Sequence, residues 1–246
     1  MDRISLPQTC FDMLSKEVAL ERVRGLEDLE HLKLANGEDG GSIRIYKGEK
    51  IDKVTLVDLK FNRGGVRLPH LKNRLALGSQ LFQIIPDFSY KIPIWGINGH
   101  VMKNGDFGFD TDFSFGFDLV MDYEFTMKYL EPFNKVYKKY WNHPDFERVY
   151  LDETTTWVRS YISPAFIIVE TTLDRANTVY ALCSEFIKLW VRMLKDAEKK
   201  DEAFKEAQKR RIVSQYSGMK GTDRMAVILK EIYGEGNFST FFKAMT

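Results

Sequence analysis

Ile92-Pro93-Ile94-Trp95-Gly96-Ile97-Asn98-Gly99-His100-Val101-Met102, followed by Lys103-Asn104-Gly105-Asp106 and then Phe107-Gly108-Phe109-Asp110-Thr111-Asp112-Phe113-Ser114-Phe115, reads as two strands and a tight turn. The Asn-Gly pair tolerates the positive backbone angles that a hairpin turn demands. Alternate side chains of a strand point to opposite faces. Phe107, Phe109, Phe113 and Phe115 therefore share one face, and Gly108, Asp110, Asp112 and Ser114 share the other. On the first strand Asn98 and His100 alternate with Ile97, Gly99 and Val101, so pairing brings Asn98 or His100 close to the acidic stripe. The same alternation also fits a polar face that is partly solvated.

Working outward, three earlier runs have strand character: Ile43 to Tyr46, Val54 to Phe61 and Leu81 to Ile85, the first two joined by a turn at Lys47-Gly48-Glu49. A sixth strand is expected from Tyr161 to Thr171. Helical spacing of apolar residues predicts a helix from Thr9 to about Arg24 and another from about Met121 to Trp141. Four closing helices are expected at about Asp174 to Asp196, Asp201 to Ser214, Asp223 to Tyr233 and Phe238 to Met245. Helices before and after a sheet must cover both of its faces. The fold class is therefore α/β, a three-layer α/β/α sandwich around a mainly antiparallel sheet of about six strands. No repeat, low-complexity stretch or linker divides the chain, and residues 1–246 are read as a single domain.

Composition removes several function classes. Thirty-six Lys and Arg against thirty-five Asp and Glu give a net charge of +1, so no overall field draws the chain to nucleic acid or an anionic membrane. Two cysteines, Cys10 and Cys183, cannot build a disulfide framework or a four-thiolate site. No apolar run approaches the length of a membrane span, and the expected location is the cytoplasm, or the plastid stroma after removal of a transit peptide. Asp106-Phe107-Gly108 lacks the other kinase motifs in order, and Gly96, Gly99 and Gly105 do not have the spacing of a phosphate cradle. His31, His70, His100 and His143 are scattered, so no metal site is expected, and no nucleophile elbow is present.

The order of several short phrases resembles the ferredoxin-dependent bilin reductase family. Ile85-Pro86-Asp87-Phe88-Ser89-Tyr90-Lys91-Ile92-Pro93-Ile94-Trp95-Gly96 is similar to the family's strand ending in Phe-Pro, a tyrosine, then Leu-Pro-Leu-Phe-Gly. Asp112-Phe113-Ser114 is similar to its Asp-Leu-Ser, with Phe115 in place of the usual proline. Ser163-Pro164-Ala165-Phe166-Ile167 resembles its Ser-Pro-Ala-Leu-Ile strand, and Thr222-Asp223-Arg224 through Tyr233-Gly234-Glu235 resembles its closing helix. The likeness covers roughly residues 54 to 246.

What the resemblance implies is radical-based reduction of a linear tetrapyrrole, biliverdin or a dihydrobiliverdin. No cofactor is bound; reduced ferredoxin is the external electron donor and the enzyme works as a monomer. On this reading Asp112 and Asp223 are the catalytic acids and Asn98 takes the place of a central aspartate. Arg224, His100, Ser114 and Asp110 are substrate-binding residues. Asp223 fits a helix N-cap equally well. Leu81 replaces the family's histidine on the earlier strand, and Glu170 stands where members place an arginine for a substrate propionate. A red chlorophyll catabolite reductase-type enzyme and a non-catalytic tetrapyrrole-binding protein of the same fold stay open beside this reading. Lys199, Lys200, Lys205, Lys209, Arg210 and Arg211 supply positive charge for an acidic ferredoxin, or form a solvated helix face.

Overall fold

The computed structural model describes residues 5–61, 64–68, 74–149, 162–222 and 224–245, without the side chains of residues 27, 218–222, 224–226 and 240–245. Ten strands among them form one sheet: β1 (Leu20–Arg22), β2 (Leu32–Lys33), β3 (Asp39–Gly48), β4 (Ile51–Lys60), β5 (Val66–Leu68), β6 (Arg74–Pro86), β7 (Ile94–Met102), β8 (Asp106–Ser114), β9 (Glu147–Arg148) and β10 (Ile167–Thr172). They run in the order β1-β3-β4-β6-β7-β8-β10-β9, with β2 beside β3 and β5 beside β6, and the pairings are antiparallel. The six expected strands are the long ones. The other four have two or three residues each, too few for an alternating pattern to be read.

The β7–β8 turn falls where the sequence places it, and the β3–β4 turn lies slightly later than Lys47-Gly48-Glu49, at Glu49-Lys50, because Gly48 still pairs with Ile51. Gly105 adopts φ 90° after Asn104, and Lys50 takes φ 59° at the β3–β4 turn. Two boundaries differ from expectation. The first helix, α1 (Leu6–Ser15), stops early because Leu20 to Arg22 pair with Gly48 to Tyr46 as an edge strand, and the spacing of Val18, Leu20 and Val23 suits either state. The last long strand begins at Ile167, six residues late, because Ser163-Pro164-Ala165 forms a turn ahead of it.

The remaining helices are α2 (Glu27–Glu30), α3 (Tyr123–Phe125), α4 (Glu131–Trp141), α5 (Ala176–Asp196), α6 (Glu202–Thr222) and α7 (Arg224–Met245), with a π-helical turn at Thr126–Leu130 between α3 and α4. Inside α7 the backbone breaks at Gly234, φ 75° and ψ 161°, between the two closing helices that the sequence predicts.

The aromatic face carries the larger core. Phe82, Trp95, Phe107, Phe109 and Phe113 pack against α1, α4 and α5 through Leu6, Phe133, Phe186 and Trp190, all nearly inaccessible. Cys10 and Cys183 are free thiols within this core, and burial raises the Cys10 pKa well above the ordinary thiol value. Gly99 is a point of close approach: a Cβ there would overlap the Phe107 ring and lie 3.1 Å from Leu6 Cδ2. Gly99→Ala is expected to cost about 1–3 kcal/mol by overpacking. A urea midpoint unchanged by the substitution would contradict this placement of α1.

The opposite face is covered by the last two helices. Ile212 of α6 packs on Ile85 and Ile94, while Ile228, Leu229, Ile232 and Tyr233 of α7 pack over Ile43, Val57 and Leu59. The result is the expected three-layer α/β/α sandwich, with a polar strip left between the two apolar clusters.

Candidate functional site

That strip lies across β6, β7 and β8. Register sets Leu81 opposite Asn98 and Ser79 opposite His100, then Asn98 opposite Asp110 and Gly96 opposite Asp112. The side chains meet as the alternation predicts. Ser79 Oγ donates to Asn98 Oδ1 at 2.9 Å, and Asn98 Nδ2 lies 3.1 Å from His100 Nε2 and 3.4 Å from Asp110 Oδ1. Asn98 Nδ2 is a donor, so Nε2 of a neutral His100 acts as acceptor in this contact. His100 is buried, and Asn98, Asp110, Asp112 and Ser114 are half-buried on the same face.

Asp112 is held from one side. Its Oδ1 accepts from Phe113 N at 2.8 Å and from Ser163 Oγ at 2.5 Å, and Oδ2 accepts from Ser163 N at 3.0 Å. Burial nevertheless outweighs these hydrogen bonds and pushes the carboxyl pKa up from 3.8 to about 6. A carboxylic acid of that strength can hold a proton near neutrality and release it to a base formed beside it.

From above, α6 contributes Tyr216, whose hydroxyl accepts from Gln83 Nε2 at 2.7 Å. Burial, with the nearby Asp112 carboxylate adding, raises its pKa to about 12. Gln208 fixes the helix by donating to Phe88 O and Tyr90 O, each at 2.9 Å. Beneath Tyr216, Gln83 Oε1 and its cross-strand neighbour Thr55 Oγ1 are buried without a hydrogen-bond partner among the described residues. Buried polar atoms are nearly always paired, so these two oxygens are ready acceptors for a ligand or water N–H or O–H.

Sequence reading thus brings Asn98, His100, Asp110, Asp112 and Ser114 onto one face, and the structure agrees. Asp223 lies outside the described residues, as do His70 and the side chain of Arg224, the first residue of α7. Ser79, Gln83, Ser163 and Tyr216 were not singled out as site residues. Ser79 and Gln83 carried a signal all the same: both are polar and stand at even spacing, on one face of a mostly apolar strand. Glu170 is buried on β10 and forms an ion pair with Arg74 at 3.1 Å, and Arg74 also reaches Asp106. A guanidinium is therefore present at that end of the face, although it comes from β6.

Among the described residues no group of three His, Cys, Asp or Glu could hold a metal ion, and no helix is long and apolar enough to cross a membrane.

The architecture matches a solved structure, the crystal structure of phytochromobilin synthase from tomato in complex with biliverdin. The similarity covers 95% of this chain and 78% of that one, with a TM-score of 0.71 and 11% sequence identity. The chain shares that fold. A scan against protein-family models and a search of curated proteins return no match.

Proposed function

We propose that the chain is a bilin oxidoreductase that reduces a linear tetrapyrrole with electrons from ferredoxin. The observation that carries this reading is the half-buried polar strip beside α6, a floor of hydrogen-bonding groups flanked at both ends by apolar clusters. A flat conjugated guest with four nitrogen-bearing rings suits it. Pyrrole and lactam N–H groups find acceptors in Asp110, Gln83 Oε1 and Thr55 Oγ1, and Asn98 supplies both a donor and an acceptor.

The chemistry balances without a resident cofactor, because the conjugated substrate delocalises the unpaired electron. In each half-reaction the bilin takes one electron from reduced ferredoxin and one proton from a carboxylic acid. Two such steps add two hydrogens across one double bond, and solvent restores the acids. Asp112 is the acid on the sheet side, and Asp223 is assigned the opposite side. His100, Asp110, Ser114 and Arg224 position the substrate.

One observation favours a second reading, a tetrapyrrole-binding protein without catalysis: the Asp112 carboxylate ties β8 to the Ser163 turn ahead of β10 by two hydrogen bonds and accepts a third from its own strand, as a purely structural clamp would. Anaerobic mixing with biliverdin and reduced ferredoxin separates the two. Catalysis consumes the biliverdin band and builds a new one. A shifted band that survives the reductant means binding alone, and overturns the enzyme reading.

Docking of an acidic ferredoxin is assigned to the exposed Lys199, Lys200, Lys209, Arg210 and Arg211 around α6, with half-buried Lys205. Exposed charges are screened over about 8 Å at physiological ionic strength. Ferredoxin-driven turnover is therefore expected to fall steeply as salt is added at fixed biliverdin. Indifference to salt would remove this patch from the account.

A further inference from the structure

Past Asp112, where β8 ends, the aromatic side of the sheet opens into a cavity of about 510 Å³. Phe113, Phe115, Phe133, Tyr137, Met127 and Leu130 form much of its wall. Three independent features mark it as more than a packing fault. Its volume falls within the roughly 300–1,000 Å³ range of small-molecule sites. Its rim is apolar and wet, with Val120, Tyr123 and Met127 exposed at 90%, 72% and 48%. Its wall includes the π-helical turn, where Glu131 N bonds back to Thr126 O; such turns recur at functional sites.

Charge points to the kind of occupant. Among the described residues Glu131 is the one charged lining residue, and its carboxylate accepts from Asn134 Nδ2 at 3.3 Å. Among the described residues no cation lines the cavity, so a carboxylate, phosphate or sulfonate would meet no counter-charge from them. A dianionic bilin would be disfavoured on the same ground. Aromatic walls and the lone described carboxylate together fit a flat, uncharged hydrophobic molecule.

The cavity also touches the polar strip through Asp112. Among the described residues every hydrogen bond to that carboxylate comes from Phe113 or Ser163, and both residues line the cavity. Ala165, another lining residue, donates to Ser163 Oγ at 3.0 Å. We propose that this cavity binds one flat, uncharged hydrophobic molecule, and that filling it acts on Asp112 through the Ser163 turn.

The test uses the full chain and Nile red, a neutral planar dye, with anilinonaphthalene sulfonate as the anionic comparison. Leu130→Trp fills the cavity, and Met127→Glu places charge at its mouth without entering the core. One saturable Nile red site is expected, weakened at least about tenfold in both variants. Infrared difference spectra at acid pH, with Asp112→Asn identifying the band, are expected to show the Asp112 carbonyl stretch moving when dye binds. Absence of saturable binding, equal affinity for the two dyes, or undiminished binding in both variants would overturn the site. Binding with an unmoved Asp112 band would overturn the coupling. Neither measurement involves a bilin, so the outcome is independent of the proposed reaction.

Discussion

Asp112→Asn is expected to lower ferredoxin-driven reduction of biliverdin by about 10²–10⁴-fold, the usual contribution of a positioned general acid, while biliverdin still binds. Asparagine keeps an oxygen for Phe113 N and Ser163 Oγ, gives up the bond from Ser163 N, and removes the transferable proton. A second signature accompanies the first. The Asp112 pKa is raised from 3.8 in the unfolded chain to about 6 in the fold, so the folded state binds this proton more tightly. Its contribution is fully present below about pH 4 and lost as pH rises through about 6, a change on the order of 3 kcal/mol. Asp112→Asn removes that dependence. The variant is expected to gain stability relative to the parent at pH 7.5 but not at pH 4, read from urea midpoints. Turnover in the parent should fall as pH rises through about 6, and this limb should vanish in the residual activity of the variant. Full turnover by the variant would take Asp112 out of the reaction.

Phe186→Ala is expected to destabilise the chain by about 3–5 kcal/mol, a large share of the total for a domain of this size. Phe186 of α5 meets Phe113 edge-on at 5.1 Å between ring centroids, Phe133 at 5.8 Å and Trp95 at 6.4 Å. The residue is inaccessible to solvent, so truncation leaves a cavity in addition to losing the transfer energy. Phe186→Leu refills most of the volume and should cost much less. Similar urea midpoints for the two variants would show that this cluster is not what holds α5 to the sheet.

The hairpin from Ile92 to Phe115 was legible because a period of two is unmistakable when every aromatic lies on one face and every carboxylate on the other. The long strands followed from the same logic. What stayed hidden was non-local. The pairing of Leu20 to Arg22 with β3 depends on a strand edge 24 or more residues away in sequence, which no spacing within the segment reports. The contact of Tyr216 with Gln83 spans 133 positions, so α6 could be drawn as a helix without revealing what it covers. Ser163 was seen only as part of a phrase, although its amide and hydroxyl are what hold Asp112. Glu170 stood out in the sequence as a departure, and the structure supplies the compensating partner, Arg74.

The central claim is that the strip formed by β6, β7 and β8 under α6 receives a linear tetrapyrrole, and one titration addresses it directly. Biliverdin added to the purified chain should give a saturable shift of its visible bands with one site per chain. The same titration of Asn98→Trp, which fills the middle of the strip, should give none. No saturable shift in the parent, or an equal shift in both proteins, would contradict the account.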